Sequence, residues 1–321
     1  MNDSDTGQTR PDRGVVTTLV EPRMPTVVAV PNVSEGADRD VIAALRAAIV
    51  RPGVKVVNTH SDPDHNRTVF TAIGNPLAMQ DAMVDLAGAA MDLIDIRRVQ
   101  GVHPRIGALD IVPIVALQPQ DMAVACELAS GIAQRIGDEL QIPVFRYGEI
   151  ASNPARTRPH DFRVGGVDRL AERIGDDLEP DDGPFRVHAT AGAVLVGARD
   201  PLIALNVWLP DGELDQARAI AARVRESGGG PPGLRALGLY LPHAGAAQVS
   251  MNLEDFRRTP PAVAVRAVHR EAERLGIVPG ATELVGLIPR AALVGTTPTE
   301  LQLAGFRPGM VLDNYLSDRS L

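Results

Sequence analysis

"TVVAVPNVSEGADRDVIAALRAAIV", residues 26–50, decides the fold. Its first seven residues form an apolar run rich in β-branched side chains and closed by Pro31 and Asn32, which predicts a strand. From Ala37 onward the apolar positions fall three and four residues apart, which predicts a helix. The pattern continues with strands at "VKVVNTH" (54–60) and "RTVFTAIG" (67–74), a helix at "PLAMQDAMVDLAGAAMDLIDI" (76–96) and a strand at "DIVPIVAL" (110–117). The order is β-α-β-β-α-β. A further helix, "DMAVACELASGIAQRIGDEL" (121–140), and a strand, "PVFRYGE" (143–149), follow. The stretch "ASNPARTRPHDFRVGG" (151–166) then holds too many turn formers to continue either period.

The acidic, proline-bearing "GDDLEPDDGP" (175–184) reads as the boundary of this first series. The second series has strands at "VLVGAR" (194–199) and "LIALNVWL" (202–209), a helix at "DQARAIAARVRE" (215–226) and strands at "LRALGLYL" (234–241) and "AAQVSMNL" (246–253). A helix at "AVAVRAVHREAERLG" (262–276) and a strand at "ELVGLIP" (283–289) complete it. Counted from Leu202, the order is again β-α-β-β-α-β. Two copies of this split βαβ pattern predict an α+β fold of two ferredoxin-like (βαββαβ) α/β-sandwich subdomains, residues 26–182 and 183–321, with a ligand cleft between them. One larger mixed α/β domain is the alternative. Residues 1–25 are polar and mixed in charge, and read as a loose tail rather than a signal peptide.

The 321 residues suffice for roughly two cored domains. Aromatic residues make up only 3% and the net charge is -8, which argues against a nucleic-acid surface. No apolar run approaches the roughly 20 residues that span a bilayer, so no membrane segment is expected. The single cysteine, Cys126, has no polar neighbour that would make it a thiolate, and reads as a buried, inert thiol in a cytoplasmic protein.

Four polar clusters interrupt the regular pattern. "VPNVSEG" (30–36) sets Asn32, Ser34 and Glu35 at a strand end before a helix, where Ser34 or Asp38 serves as an N-cap or the free amides meet a ligand. "NTHSDPDHNRT" (58–68) holds His60, Asp62, Asp64, His65, Asn66 and Arg67, more titratable groups than a hairpin turn needs. In "GVHPRIGALD" (101–110), Gly101 permits an unusual backbone angle and Pro104 stiffens the loop. Arg105 and Asp110 there offer charge partners able to set the protonation state of His103. "GPFRVHATAGAVLVGAR" (183–199) opens with small residues that let a flat ligand approach the backbone, or with a tight linker.

In this order and spacing the clusters resemble the formiminotransferase family of folate-dependent glutamate formimidoyltransferases. The matching pieces are "VPNVSEG", "NRTVFTAIG", "HPRIGALDIVPIV", "PVFRYGE", "GPF", "GARDPLIALNVWL", "AQVSMNLEDF" and "ELVGLIP", which together span about residues 28–293. The resemblance implies transfer of a formimidoyl group from N-formimidoyl-L-glutamate to nitrogen-5 of tetrahydrofolate, with His103 as the catalytic general acid and base. It also implies a folate-binding loop of Gly183, Pro184, Phe185, Arg186, Val187, His188, Ala189, Thr190, Ala191 and Gly192, two ferredoxin-like subdomains, and a homodimer. Animal members carry a relay aspartate where this chain has His60, leaving Asp62 and Asp64 nearby to take its role. They also have an acidic residue at the position of Val102 and a tryptophan at that of Ala191. A cyclodeaminase, if the second reaction occurs, is expected as a separate protein.

Both substrates carry carboxylates, so forked arginine donors are expected, with Arg67, Arg105 and Arg199 as candidates. Asn32, Ser34 and Asn66 would add neutral hydrogen bonds. No metal is expected. Two other readings stay open: a folate-binding relative with an altered donor or acceptor or no catalysis, and a metal-dependent hydrolase using His60, Asp62, Asp64 and His65.

Overall fold

The computed structural model describes residues 26–316, so the expected N-terminal tail at 1–25 lies outside the described residues. The first strand is two short pieces, β1 (Val27–Ala29) and β2 (Asn32–Val33), because Pro31 between them has no amide hydrogen for the ladder. Next come α1 (Arg39–Ile49), β3 (Val54–Asp62), β4 (Arg67–Gly74), α2 (Pro76–Leu93), β5 (Leu109–Val115), α3 (Met122–Leu140) and β6 (Val144–Gly148). Asp38, not Ser34, caps α1, accepting from the backbone N–H groups of Asp40 and Val41 at 2.9 and 3.1 Å. Asn75 caps α2 from the position before Pro76, whose missing N–H costs a first-turn residue nothing.

The turn-rich 151–166 stretch is more regular than its composition predicts. It holds α4 (Pro159–Arg163), followed by α5 (Gly166–Arg173). Pro159 at the first helical position and Asp161, whose carboxylate accepts from Arg158 N–H at 3.1 Å, are the start signal that turn composition conceals.

One sheet of seven strands runs β3–β4–(β1/β2)–β5–β7–β6, where β7 is Val194–Arg199. Strand β7 is expected in the second series, but it pairs parallel with both β5 and β6 inside the first sheet. The acidic boundary likewise belongs to the first sheet. Asp181 N–H donates to Val144 O at 2.9 Å, and the Asp182 carboxylate accepts from the Arg146 guanidinium at 2.7 and 2.8 Å. The change of sheet falls between Arg199 and Ile203 rather than at Gly183.

Beyond it, β8 (Ile203–Leu209), α6 (Leu214–Val224), β9 (Leu234–Leu241), β10 (Ala246–Leu253), α7 (Pro261–Arg274) and β11 (Thr282–Val285) build an antiparallel sheet in the order β11–β8–β10–β9. The chain is thus α+β, with two sheets. Each has its own core. Helix α2 buries Met79, Met83, Leu86 and Ala90 against the first sheet, and each large side chain so removed from water contributes about 1.5–3 kcal/mol. Leu205, Val207, Val249 and Met251 meet Ile220 and Val268 in the second core. After β11 the chain returns to the first sheet, where Leu312 packs with Val28, Ile73 and Val115 and is joined by Tyr315 and Leu316 of α8 (Asp313–Leu316). Among the described residues no helix is long and apolar enough to cross a membrane.

Strand alternation leaves the second sheet a polar face. On β8 and β10 the core takes Leu205, Val207, Ala247 and Val249, so Asn206 and Gln248 point the other way. That face meets the β3–β4 turn. The buried Asp64 carboxylate accepts from His243 N–H at 2.9 Å, Ala244 N–H at 3.3 Å and His243 Nδ1 at 2.8 Å, all in the β9–β10 turn. Burial works to raise the Asp64 pKa, but these donors outweigh it and hold the carboxyl below its ordinary value. Its stabilisation is therefore present above the ordinary carboxylate pKa and is lost as pH falls through the depressed one. Asp64→Ala is expected to cost about 1–3 kcal/mol, since it strands two amides. The urea midpoint should fall accordingly, with faster hydrogen exchange at His243 and Ala244.

Candidate active site

Two of the polar clusters fold into one body. In the β3–β4 turn, Asp62 Oδ1 accepts from His65 N–H at 2.7 Å, which makes Asp62 a turn former, and Asn66 takes the left-handed conformation that Asn tolerates (φ 46°). Asn66 Oδ1 accepts from Gly36 N–H at 2.8 Å and its Nδ2 donates to Gln100 O at 2.7 Å; Val102 N–H donates to Asp64 O at 3.1 Å. Arg105 donates to Asn66 O at 2.7 Å, to His65 O, and to His103 O at 3.3 Å. These bonds to backbone carbonyls make its fork a tie that holds the loop. Gly101 has no positive φ; its missing Cβ is what matters, because that atom would fall on Arg105 Nη2 and the His65 carbonyl.

This scaffold presents His103, half-buried. Its Nδ1 is 2.8 Å from Arg67 Nη1 and 2.8 Å from Pro104 O. Arginine only donates and a carbonyl only accepts, so Nδ1 serves one partner at a time. With Arg67, the neutral ring carries its proton on Nε2; with Pro104, Nδ1–H donates and Nε2 keeps a lone pair. Removal of the ring from water, followed by the charges of Arg67 and Arg163, holds the imidazole pKa well below its ordinary 6.5. One ring face stacks on His65, with centroids 5.9 Å apart and planes 28° apart.

Behind Arg67 lies Asp110, fully buried at the start of β5. It accepts from Arg67 Nη2, from Arg163 Nη2 at 2.5 Å and from Ile106 N–H at 2.8 Å. Burial works to raise this carboxyl, but Arg163, Arg67 and the amide overcome it and hold it well below the usual carboxylate range. Burial pulls the Arg67 guanidinium down against the support of Asp110. Two guanidiniums against one carboxylate leave a net positive charge beside His103. Arg67 Nε also reaches Asn32 Oδ1 at 3.3 Å, which brings Asn32 into the group. Arg163 was hidden in the turn-rich stretch.

Partners from the second sheet complete the site. Buried His65 Nε2 lies 3.0 Å from Gln248 Oε1, and His60 Nε2 lies 3.3 Å from Glu283 Oε1. Glu283 in turn accepts from Asn206 Nδ2 at 2.9 Å. Burial works to raise Glu283, but the bonds from His60 and Asn206 hold it below its ordinary value. The only sequence signal for Gln248 and Glu283 is a polar residue at the outward position of an alternating strand. The 183–192 loop reaches the same edge: Ala108 N–H donates to Ala191 O at 2.8 Å and Ala193 N–H to Ile106 O at 2.9 Å. His188 Nδ1 accepts from Ala191 N–H at 3.0 Å and closes the turn, while Phe185 stands exposed.

Other expected residues lie elsewhere or do other work. Ser34 Oγ donates to Gly107 O at 2.7 Å in full burial. Glu35 Oε1 accepts from Ala37 and Asp38 N–H at 2.7 and 2.9 Å. Arg199 stands opposite Val115 at the far end of β5 from Asp110, about 16–17 Å along the strand. His60, Asp62, Asp64 and His65 each turn to a different partner, and among the described residues no group of three His, Cys, Asp or Glu side chains is placed to hold a metal. Burial, with Glu149 nearby, pushes the Cys126 thiol up, which fits an inert thiol.

Comparison with known proteins agrees with this division. A family profile described as "Formiminotransferase domain, N-terminal subdomain" matches residues 26–199, and one described as "Formiminotransferase domain" matches residues 204–299. Glutamate formimidoyltransferase of Thermoplasma acidophilum is 38% identical over 91% of this chain and 98% of its own, and that of Streptococcus pyogenes 36% over 90% and 98%. Formimidoyltransferase-cyclodeaminase of Rattus norvegicus is 37% identical over 84% of this chain but 51% of its own length. The two profiles meet in the gap between β7 and β8, where the chain changes sheet, and with the relatives matched almost end to end, the chain belongs to the formiminotransferase family.

Proposed function

We propose that this chain transfers the formimidoyl group of N-formimidoyl-L-glutamate to nitrogen-5 of tetrahydrofolate, with His103 as general base and then general acid. The observation that carries the reading is a neutral, anchored imidazole at the junction of the two sheets, beside the 183–192 loop. Each unit is read as a ferredoxin-like sandwich, dividing between Arg199 and Ile203, with the substrates in the cleft between them. Tetrahydrofolate lies along Gly183 to Gly192, with Phe185 free to stack on a flat ring system.

Nitrogen-5 attacks the amidine carbon and forms a carbon–nitrogen bond. His103 Nε2 takes the nitrogen-5 proton, with Nδ1–H donating to Pro104 O in that tautomer. The imidazolium then gives the proton to the glutamate nitrogen, whose bond to carbon breaks. Because the surrounding arginines disfavour the imidazolium, the proton is held only briefly, as a shuttle requires. The same excess of positive charge attracts the substrate carboxylates, with Arg67 the nearest donor of the expected set. The rest of the rate comes from holding both substrates together.

Incubation with N-formimidoyl-L-glutamate and tetrahydrofolate is expected to release glutamate and form 5-formimidoyltetrahydrofolate, followed by chromatography. Folate binding with no transferred product would instead favour the binding-protein reading.

A further inference from the structure

Gln248 is fully buried on the polar face of the second sheet. Its Oε1 meets His65 Nε2 at 3.0 Å, while its Nε2 has no hydrogen-bond partner among the described residues. A glutamine kept only for packing would satisfy both ends, because a buried amide without a partner costs stability. What it does secure is His65, whose ring stacks on His103. Among the described residues His65 makes no other side-chain hydrogen bond: its backbone is tied to Asp62 and Arg105, but those bonds leave the ring free to rotate. The next residue back, Asp64, clasps the β9–β10 turn, so docking of the second sheet and orientation of His65 come together.

We infer that Gln248 is a positioning residue for the transfer: by fixing the ring plane and tautomer of His65, it lets the second sheet set the orientation of the reacting imidazole of His103. Arg67 and Pro104 hold one edge of His103, and the His65 ring holds one face. This leaves the Nε2 edge for substrate. The charged and titratable groups around the imidazole pair are Arg67, Arg105, Arg163, Asp110 and His60 from the first unit and Glu283 from the second. The role of His103 in transfer rests on the proposed function, whereas the orientation of its ring can be read without substrate.

The test uses the full chain carrying nitrogen-15 histidine, with imidazole resonances assigned by single His→Gln variants. In Gln248→Leu, the His65 and His103 resonances are expected to shift, and kcat to fall about 10- to 100-fold with KM changed far less, as for a misoriented group. Gln248→Glu keeps an acceptor for His65 Nε2–H. It should restore most of the wild-type His103 resonances and much of kcat. Unmoved His103 resonances in Gln248→Leu, or a lower thermal midpoint with kcat and pH profile intact, would overturn the inference. Shifted His103 resonances in a protein without transfer activity would support the positioning and overturn the proposed reaction instead.

Discussion

His103→Ala is expected to lower kcat by about 10²–10⁴-fold, the range for loss of a positioned proton carrier, with tetrahydrofolate binding retained. The fold should survive, because His103 is half-buried on a loop whose bonds come from Arg105, Asn66 and Val102, none of which uses its ring. The pH dependence carries the sharper signature. The wild-type imidazole is held well below 6.5 by loss of water and by Arg67 and Arg163, so it stays neutral through the neutral range and kcat/KM should fall only on acidification beyond the ordinary imidazole pKa. The same depression has a stability counterpart. Unfolded chains take up the proton near 6.5 and folded ones do not, so stability falls as pH drops below 6.5 and levels off beneath the folded value. His103→Ala should flatten both curves. Steady-state rates from pH 5 to 8, beside urea unfolding over the same range, check this; equal activity in wild type and variant would remove His103 from the chemistry.

Asp110→Asn is expected to cost about 3–5 kcal/mol of folding stability, because it leaves two guanidiniums buried without their counter-charge. Asp110 joins Arg67, Arg163 and the Ile106 amide, and among the described residues no other carboxylate meets either guanidinium. Its pKa is depressed, so its contribution is present above the ordinary carboxylate value of 3.8 and drains away as pH falls below it. Acid unfolding of the wild type should therefore become steep in that range, and the variant should lose the steepness. Activity should fall as well, since Asp110 holds Arg67, which lies against His103 and is the nearest donor proposed for a substrate carboxylate. A urea midpoint unchanged within error would show that the arginines find other partners.

The order of elements was legible because helix and strand periods are local: each needs only a few neighbouring residues to declare itself. β7 shows the limit. "VLVGAR" is an apolar run that any interior strand could have, and nothing in it says which sheet takes it. Its place between β5 and β6 follows from parallel pairing across the chain. The candidate site divides similarly. His103 and its neighbours were visible as a dense, stiffened cluster, but the charges acting on its ring are those of Arg67 and Arg163, while the expected partner Asp110 bonds to those two arginines. Arg105 was expected to offer its fork to a substrate carboxylate, and a guanidinium in a sequence does not reveal the three backbone carbonyls that meet it in the fold.

By itself, the sequence determined the α+β element order, the four polar clusters and the histidine that one of them stiffens, all set by short-range geometry. Tertiary structure alone decided which groups complete them: Gln248 on His65, His243 on Asp64, Glu283 on His60 and Arg163 on Asp110. Three of these pairs join residues about 180 positions or more apart. A hydrogen bond depends on distance in space, which is fixed only when the second sheet turns its polar face to the β3–β4 turn.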